Sequence, residues 1–118
     1  MPLYLVEKLF DEVVVLDARG RITLGPETET LRQRVNAIIG AGRKRIVLEL
    51  GNVDYIDSAG LGVLASSAAS ARRAGGELKL VNLTKRLHDL MQITRLSTLF
   101  EVYDTVEKAC LSFGPLSV

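Results

Sequence analysis

The segment from Arg45 to Asn82 constrains this chain more than any other. RIVLEL at 45 to 50 is a short apolar run with the composition of a buried strand. From about Ser58 to Ala74 an alanine-rich helical pattern follows, closed by Gly75-Gly76, and ELKLVN at 77 to 82 alternates as a strand does. Helices separated by strands favour a mostly parallel sheet with right-handed crossovers. The rest of the chain fits that frame. Residues 3 to 9 and 12 to 19 read as two strands joined by a tight turn at Asp11-Glu12, and the apolar start of the second, VVVLDA, makes it central. After the loop RGRITLGPE, Leu31, Val35, Ile38 and Ile39 recur at helical spacing, with Pro26 in the first turn and Gly40 and Gly42 as the stop. Thr84 can cap a short helix carrying Leu87, Leu90 and Met91, and STLFEVY gives a last short strand. Asp104, three residues before Glu107, then starts a final helix with Val106, Ala109, Cys110 and Phe113. The expected fold class is α/β, a central, mostly parallel sheet with one antiparallel N-terminal strand and about four helices. At 118 residues this is one domain, 1–118, with one core.

Charge and composition exclude several functions. A net charge of +1 argues against nucleic acid, and the short basic clusters at 43 to 45 and 72 to 73 sit beside glycines at expected element ends. The single cysteine, Cys110, rules out an internal disulfide framework, suits a reducing compartment and falls on an apolar helical face. MPLYLVEKLF mixes acid and base without a long apolar run, so neither a signal peptide nor membrane insertion is expected, and the expected location is cytoplasmic.

The chemistry concentrates in YIDSAGLG at 55 to 62. Gly60-x-Gly62-x-x-Ala65 fits a dinucleotide fingerprint, but it lies mid-chain and the next strand ends in Asn82 instead of an acid. Ser58 with His88, the only histidine, would make a hydrolase pair, but Ile56 stands where a nucleophile elbow has glycine. A phosphate-accepting aspartate would need further acids at the end of the first strand for magnesium, and the acids Asp11 and Glu12 lie in a hairpin turn. Asp57 or Ser58 can cap the helix, and that is compatible with function. A hydroxyl at a helix start is exposed beside free backbone N–H groups and the positive end of the dipole, so a phosphate there would be tolerated by the fold. It would also add a charge of about −1.5 to −2 to any docking surface.

On a helical wheel Leu61, Leu64, Ala65, Ala68 and Ala71 form the core face, and Gly62, Val63, Ser66, Ser67 and Ser70 lie opposite. A solvated face would carry lysine and glutamate. A small, uncharged strip continuous with Ser58 fits the approach of another protein surface, or a second layer of packing within the domain.

VDYIDSAGLGVL resembles the segment at which STAS domains of the anti-sigma factor antagonist family carry their phosphorylatable serine, in the pattern D-S-[ST]-G-L-G. The element order, the GRIT turn and the tract GGELKLVNLTKRLHDLMQITRL resemble that family over essentially the whole chain. The resemblance implies that Ser58 is phosphorylated by a cognate anti-sigma factor that is itself an ATP-dependent serine kinase. A PP2C-type phosphatase would reset it, with catalysis left to the partners and no cofactor or metal. Asp57 would orient or cap the loop, Gly60 and Gly62 would allow close backbone approach, and the loop from Gly20 to Gly25 would flank the docking surface. The expected partner-binding set is Arg21, Thr23, Asp57, Ser58, Ala59, Gly60, Gly62, Val63 and Ser66. Two departures stand out. Ala59 replaces a hydroxyl residue, and Gly20-Arg21-Ile22-Thr23 replaces a G-E-[LI]-D pattern, leaving Arg21 where it could bind a phosphate. The other function compatible with the same fold is a constitutive STAS scaffold or a regulatory subunit of a transporter or signalling assembly.

Overall fold

A computed structural model describes residues 3–114, so the ends of the expected domain, 1–2 and 115–118, lie outside the described residues. The elements are β1 (Leu3–Phe10), β2 (Val13–Ile22), α1 (Pro26–Gly40), β3 (Arg45–Ile56), α2 (Ser58–Arg73) and β4 (Glu77–Val81). They continue with α3 (Lys85–Thr94), a 3₁₀ turn (Leu96–Leu99), β5 (Val102–Tyr103) and α4 (Val106–Ser112). The sheet runs in the order β1-β2-β3-β4-β5, with β1 antiparallel to β2 and every other pair parallel.

Sequential strand order has a physical consequence. Right-handed crossovers that all advance in one direction place their helices on one face of the sheet. Leu31 and Val35 of α1, Leu61 and Leu64 of α2, and Leu87 and Met91 of α3 accordingly share one core with Leu16, Ile46, Leu48 and Leu80. The opposite face is left for α4, where Ala109 meets Val13, Val15, Val47 and Val81. Strands buried on both faces explain why VVVL and RIVLEL are continuous apolar runs. A buried cation in this layer, Lys79, is 3% exposed and fully engaged: Nζ donates to Ser112 Oγ at 2.7 Å, pairs with Glu101 at 3.3 Å and lies 4.2 Å from the Phe113 ring centroid.

Several boundaries differ from the sequence reading. β3 does not stop at residue 50 but continues to Ile56, because β2 also continues to Ile22 and pairs with it, Arg21 opposite Tyr55 and Ile22 opposite Ile56. Register shifts between Asp17 and Arg19 and between Gly20 and Arg21 absorb the unequal lengths. The expected loop from Gly20 to Gly25 is thus strand as far as Ile22. STLFEVY is not one strand: the 3₁₀ turn precedes a two-residue β5 that pairs only Val102 with Leu80 and Tyr103 with Val81. The last helix is capped by Thr105, whose hydroxyl accepts from the Lys108 N–H at 3.1 Å. Asp104 instead pairs with the Lys108 ammonium at 3.1 Å.

The β1–β2 turn carries both central residues in the left-handed region, Asp11 at φ 44° and Glu12 at φ 72°. A two-residue hairpin matched to strand twist demands this, and it favours glycine at the second position. Glu12→Gly is expected to stabilise the protein by about 0.5 to 1 kcal/mol, relief of strain outweighing glycine's entropy cost. The exposed Glu12–Arg43 pair at 4.0 Å contributes little. Urea denaturation of the two proteins measures the difference.

Candidate functional site

The parallel β2 and β3 end side by side, and a single residue, Asp57, separates Ile56 from the start of α2. Asp57 turns the chain there. Its backbone is extended at φ −103°, ψ −176°, and one carboxylate oxygen, Oδ1, accepts from the Gly60 N–H at 2.8 Å as the helix N-cap. The other, Oδ2, accepts from the Leu24 N–H at 3.0 Å, which ties the turn after β2 to the start of α2. These two bonds, Leu24's first and Gly60's second, hold the carboxyl below its ordinary pKa.

A stability consequence follows with a definite sign. A carboxylate with a depressed folded pKa stabilises above its unfolded pKa of about 3.9, and the stabilisation is lost as pH falls through the folded value. Asp57→Ala is expected to cost about 1 kcal/mol at neutral pH, the usual size of a lost N-cap. The difference from the parent should shrink as the pH is lowered below about 4. Thermal melts of both proteins at a series of pH values measure it.

Ser58 is the first residue of α2 and is exposed; Ala59 is half-buried. Gly60 is buried, and a Cβ there would overlap the Ile22 carbonyl oxygen and lie 2.6 Å from Ile56 Cγ1. Its missing side chain therefore serves packing inside the domain. Gly62 is the opposite case, exposed and with no atom within 4 Å of where a Cβ would stand. Ser66 is exposed one turn further on, its hydroxyl donating back to the Val63 carbonyl at 3.1 Å. Val63 is corrected: it is 3% exposed and packs in the core, as Ser67 is buried at 4%. The helix packs against α1 as well as the sheet, so its buried arc is wider than the wheel suggested, and the open stripe runs through Ser58, Gly62 and Ser66. Thr23 is half-buried just after β2, and Arg21 is exposed.

Arg21 does more than flank the site. Its guanidinium lies 5.2 Å from the centroid of the Tyr55 ring, and Arg86 of α3 lies 4.9 Å from the same ring. An open groove runs from the start of α2 to α3, lined by Tyr55, Asp57, Ser58, Lys85, Arg86 and Ile93 among others. Two large apolar side chains stand in solvent near the site: Ile93, which lines the groove, at 79% exposure, and Leu24, whose N–H bonds Asp57, at 78%. Exposed aliphatic groups beside tyrosine and arginine have the composition of a protein-docking surface. Sequence reasoning missed Tyr55, Lys85, Arg86 and Ile93, and reached Leu24 only as part of the flanking loop from Gly20 to Gly25. One signal was available: Lys85-Arg86 places two cations in the first turn after the Thr84 cap, against the helix dipole.

The hydrolase pairing is not assembled. His88 lines a separate groove with Asn82, Tyr103 and Asp104. Asp11 and Glu12 turn at the far end of β2, ten residues or about 30 Å of strand from Ile22. Cys110, on α4, is half-buried against the valine face of the sheet, and burial with nearby Asp11 pushes its thiol pKa up, away from the reactive thiolate. Among the described residues no helix is long and apolar enough to cross a membrane.

A helix-starting serine beside a capping acid, at the end of a sequentially ordered sheet, defines a class. The family model described as STAS domain matches residues 5–109, and the chain belongs to the STAS domain family. Within it the chain is of the anti-sigma factor antagonist family. It is 35% identical over 85 residues to BtrV of Bordetella bronchiseptica, a proposed anti-sigma factor antagonist, covering 72% of this chain and 73% of that one. The crystal structure of a proposed anti-sigma factor antagonist from Thermotoga maritima superimposes with a TM-score of 0.85 at 26% identity, over 92% of each chain. The Bacillus cell fate determinant SpoIIAA, solved in its phosphorylated form, shares the fold at a TM-score of 0.72 and 20% identity, over 94% of this chain and 98% of that one.

Proposed function

We propose that residues 1–118 work as one STAS domain in the cytoplasm, binding a cognate anti-sigma factor and so releasing a sigma factor, and that phosphorylation of Ser58 by that partner ends the binding. The observation that carries this reading is the division of labour at the start of α2. Asp57 spends both carboxylate oxygens on backbone N–H groups, whereas Ser58 is presented to solvent.

The chemistry follows from that division. A carboxylate already engaged twice and held below its ordinary pKa is a poor proton acceptor, so Asp57 positions the loop and does not activate the hydroxyl. The base and the ATP are therefore assigned to the partner kinase. Ser58 Oγ attacks the γ-phosphorus, the Oγ–P bond forms as the bond to the bridging oxygen of ADP breaks, and the hydroxyl proton passes to the partner's base. A PP2C-type phosphatase reverses the modification. In this division the chain is a substrate and a binding module, not an enzyme. The docking surface takes in Arg21, Thr23, Ala59, Gly62 and Ser66, with Leu24 and Ile93 as apolar flanks. Gly60 and Asp57 shape it from within.

The test is incubation with the cognate anti-sigma factor and ATP, followed by mass-spectrometric mapping. The reading expects one phosphate, on Ser58, and none on Ser58→Ala. Modification elsewhere, or none, would sink it and leave the constitutive scaffold.

A further inference from the structure

Lys85 and Arg86 line the groove beside Ser58, and Arg21 lies against its Tyr55 wall. Arg21, Lys85 and Arg86 come from β2 and from the first turn of α3, and among the described residues none of them makes an ion pair with a carboxylate. Lys85 and Arg86 stand at a helix N-terminus, where the dipole disfavours positive charge, and the first turn carries no acid to offset them. The two guanidinium groups are instead held against one ring, Arg21 at 5.2 Å and Arg86 at 4.9 Å from the Tyr55 centroid. Stacking on an aromatic ring fixes a guanidinium's plane while leaving its N–H donors free at the edge. Ser58 lines the same groove as Tyr55, Lys85 and Arg86.

We infer that Arg21 and Arg86, braced by Tyr55 and assisted by Lys85, form an intramolecular receptor for a phosphate on Ser58. The inference rests on Ser58 being the phosphate acceptor. Guanidinium donors match phosphate oxygens in a bidentate fork; Lys85 and Arg86 match in number the two carboxylates that line the groove, Asp57 and Asp89, and Arg21 adds a third cation at the Tyr55 wall. Asp57 is already bonded to two backbone N–H groups, so its charge is partly offset where it faces the helix start. Phosphorylation would then act twice at this surface. It adds charge beside Ser58, and it withdraws two arginines from the set a partner can contact. In the unmodified protein those arginines are open to the partner's acidic groups.

The experiment installs phosphoserine at position 58 during synthesis, so that no kinase is needed, and follows the phosphorus resonance of the folded protein through a pH titration. The second ionisation of a free phosphoserine lies near pH 6. In the parent it is expected to fall by about half a pH unit or more relative to a protein that also carries Arg21→Gln and Arg86→Gln, the size of a partly exposed charge pair. Arg86→Lys should restore part of the difference. Amide spectra of each variant confirm that the exposed substitutions leave the fold intact. Equal titration in parent and double variant would overturn the inference, and so would a lowered value that the arginine substitutions do not move, since the helix dipole alone would then explain it. If the partner kinase fails to modify Ser58, the switch falls while this titration stands. If the kinase modifies Ser58 but the titration is flat, the receptor falls and the switch stands.

Discussion

Gly60→Ala is expected to destabilise this protein by at least about 3 kcal/mol, at the upper end of what overpacking costs and a large share of a typical domain's 5 to 15 kcal/mol. The added methyl would overlap the Ile22 carbonyl oxygen and press on Ile56 Cγ1 at 2.6 Å. Neither neighbour can move cheaply. Ile22 and Ile56 are paired across β2 and β3 and are both buried. The helix cannot retreat either, since Leu61, Leu64, Ala68 and Ala71 are 4% exposed or less. The N–H of Gly60 also donates to Asp57, so a shifted helix would lose its cap and the link to Leu24. The drop in melting temperature should be roughly 10 °C or more for a chain of this size. Gly62→Ala is the control two residues on. Its Cβ meets nothing within 4 Å, and alanine is the better helix former by about 0.5 to 1 kcal/mol, so that variant should melt higher than the parent. Calorimetry on the three proteins separates the two glycines.

The second large effect is on binding and leaves stability alone. Ser58→Asp places a charge at an exposed position next to Asp57 and is expected to weaken the anti-sigma factor complex by about tenfold or more, which corresponds to about 1.4 kcal/mol. Ser58→Ala should bind like the parent, because it removes a hydroxyl without adding charge. Both variants should melt within about 0.5 kcal/mol of the parent, as exposed substitutions usually do. A Ser58→Asp protein that keeps full affinity would favour a scaffold whose partner does not contact this surface. Titration calorimetry with the partner, with melting curves of each variant, reads both quantities.

The outline of the fold was legible because period and punctuation agreed. RIVLEL and VVVL are too apolar for one-sided strands, and Gly75-Gly76 ends α2 where the pattern says it should, with Gly75 at φ 86°. The extension of β3 through Val53-Asp54-Tyr55-Ile56 was not legible. Gly51-Asn52 reads as a break, and only the partner strand, itself irregular after Asp17, shows that the ladder resumes. STLFEVY has strand composition, but tertiary pairing grants it just two ladder positions, and Phe100 inserts into the core before them. At the site, Asp57, Ser58 and Gly60 were legible because capping chemistry is local. The span of the buried arc on α2 was not, since it depends on α1, and so Val63 was placed outside. The Arg21–Tyr55–Arg86 cluster was out of reach for the same reason: it joins three elements that only the fold brings together.

The most direct measurement is the affinity of the cognate anti-sigma factor for two preparations of this chain, identical except for a phosphate on Ser58. The expected result is tight binding of the unmodified protein and binding weaker by about a hundredfold, about 2.7 kcal/mol, of the phosphorylated one, which should remain folded and melt no lower than the unmodified protein. Equal affinities would contradict the switch and leave Ser58 as an ordinary helix-start serine.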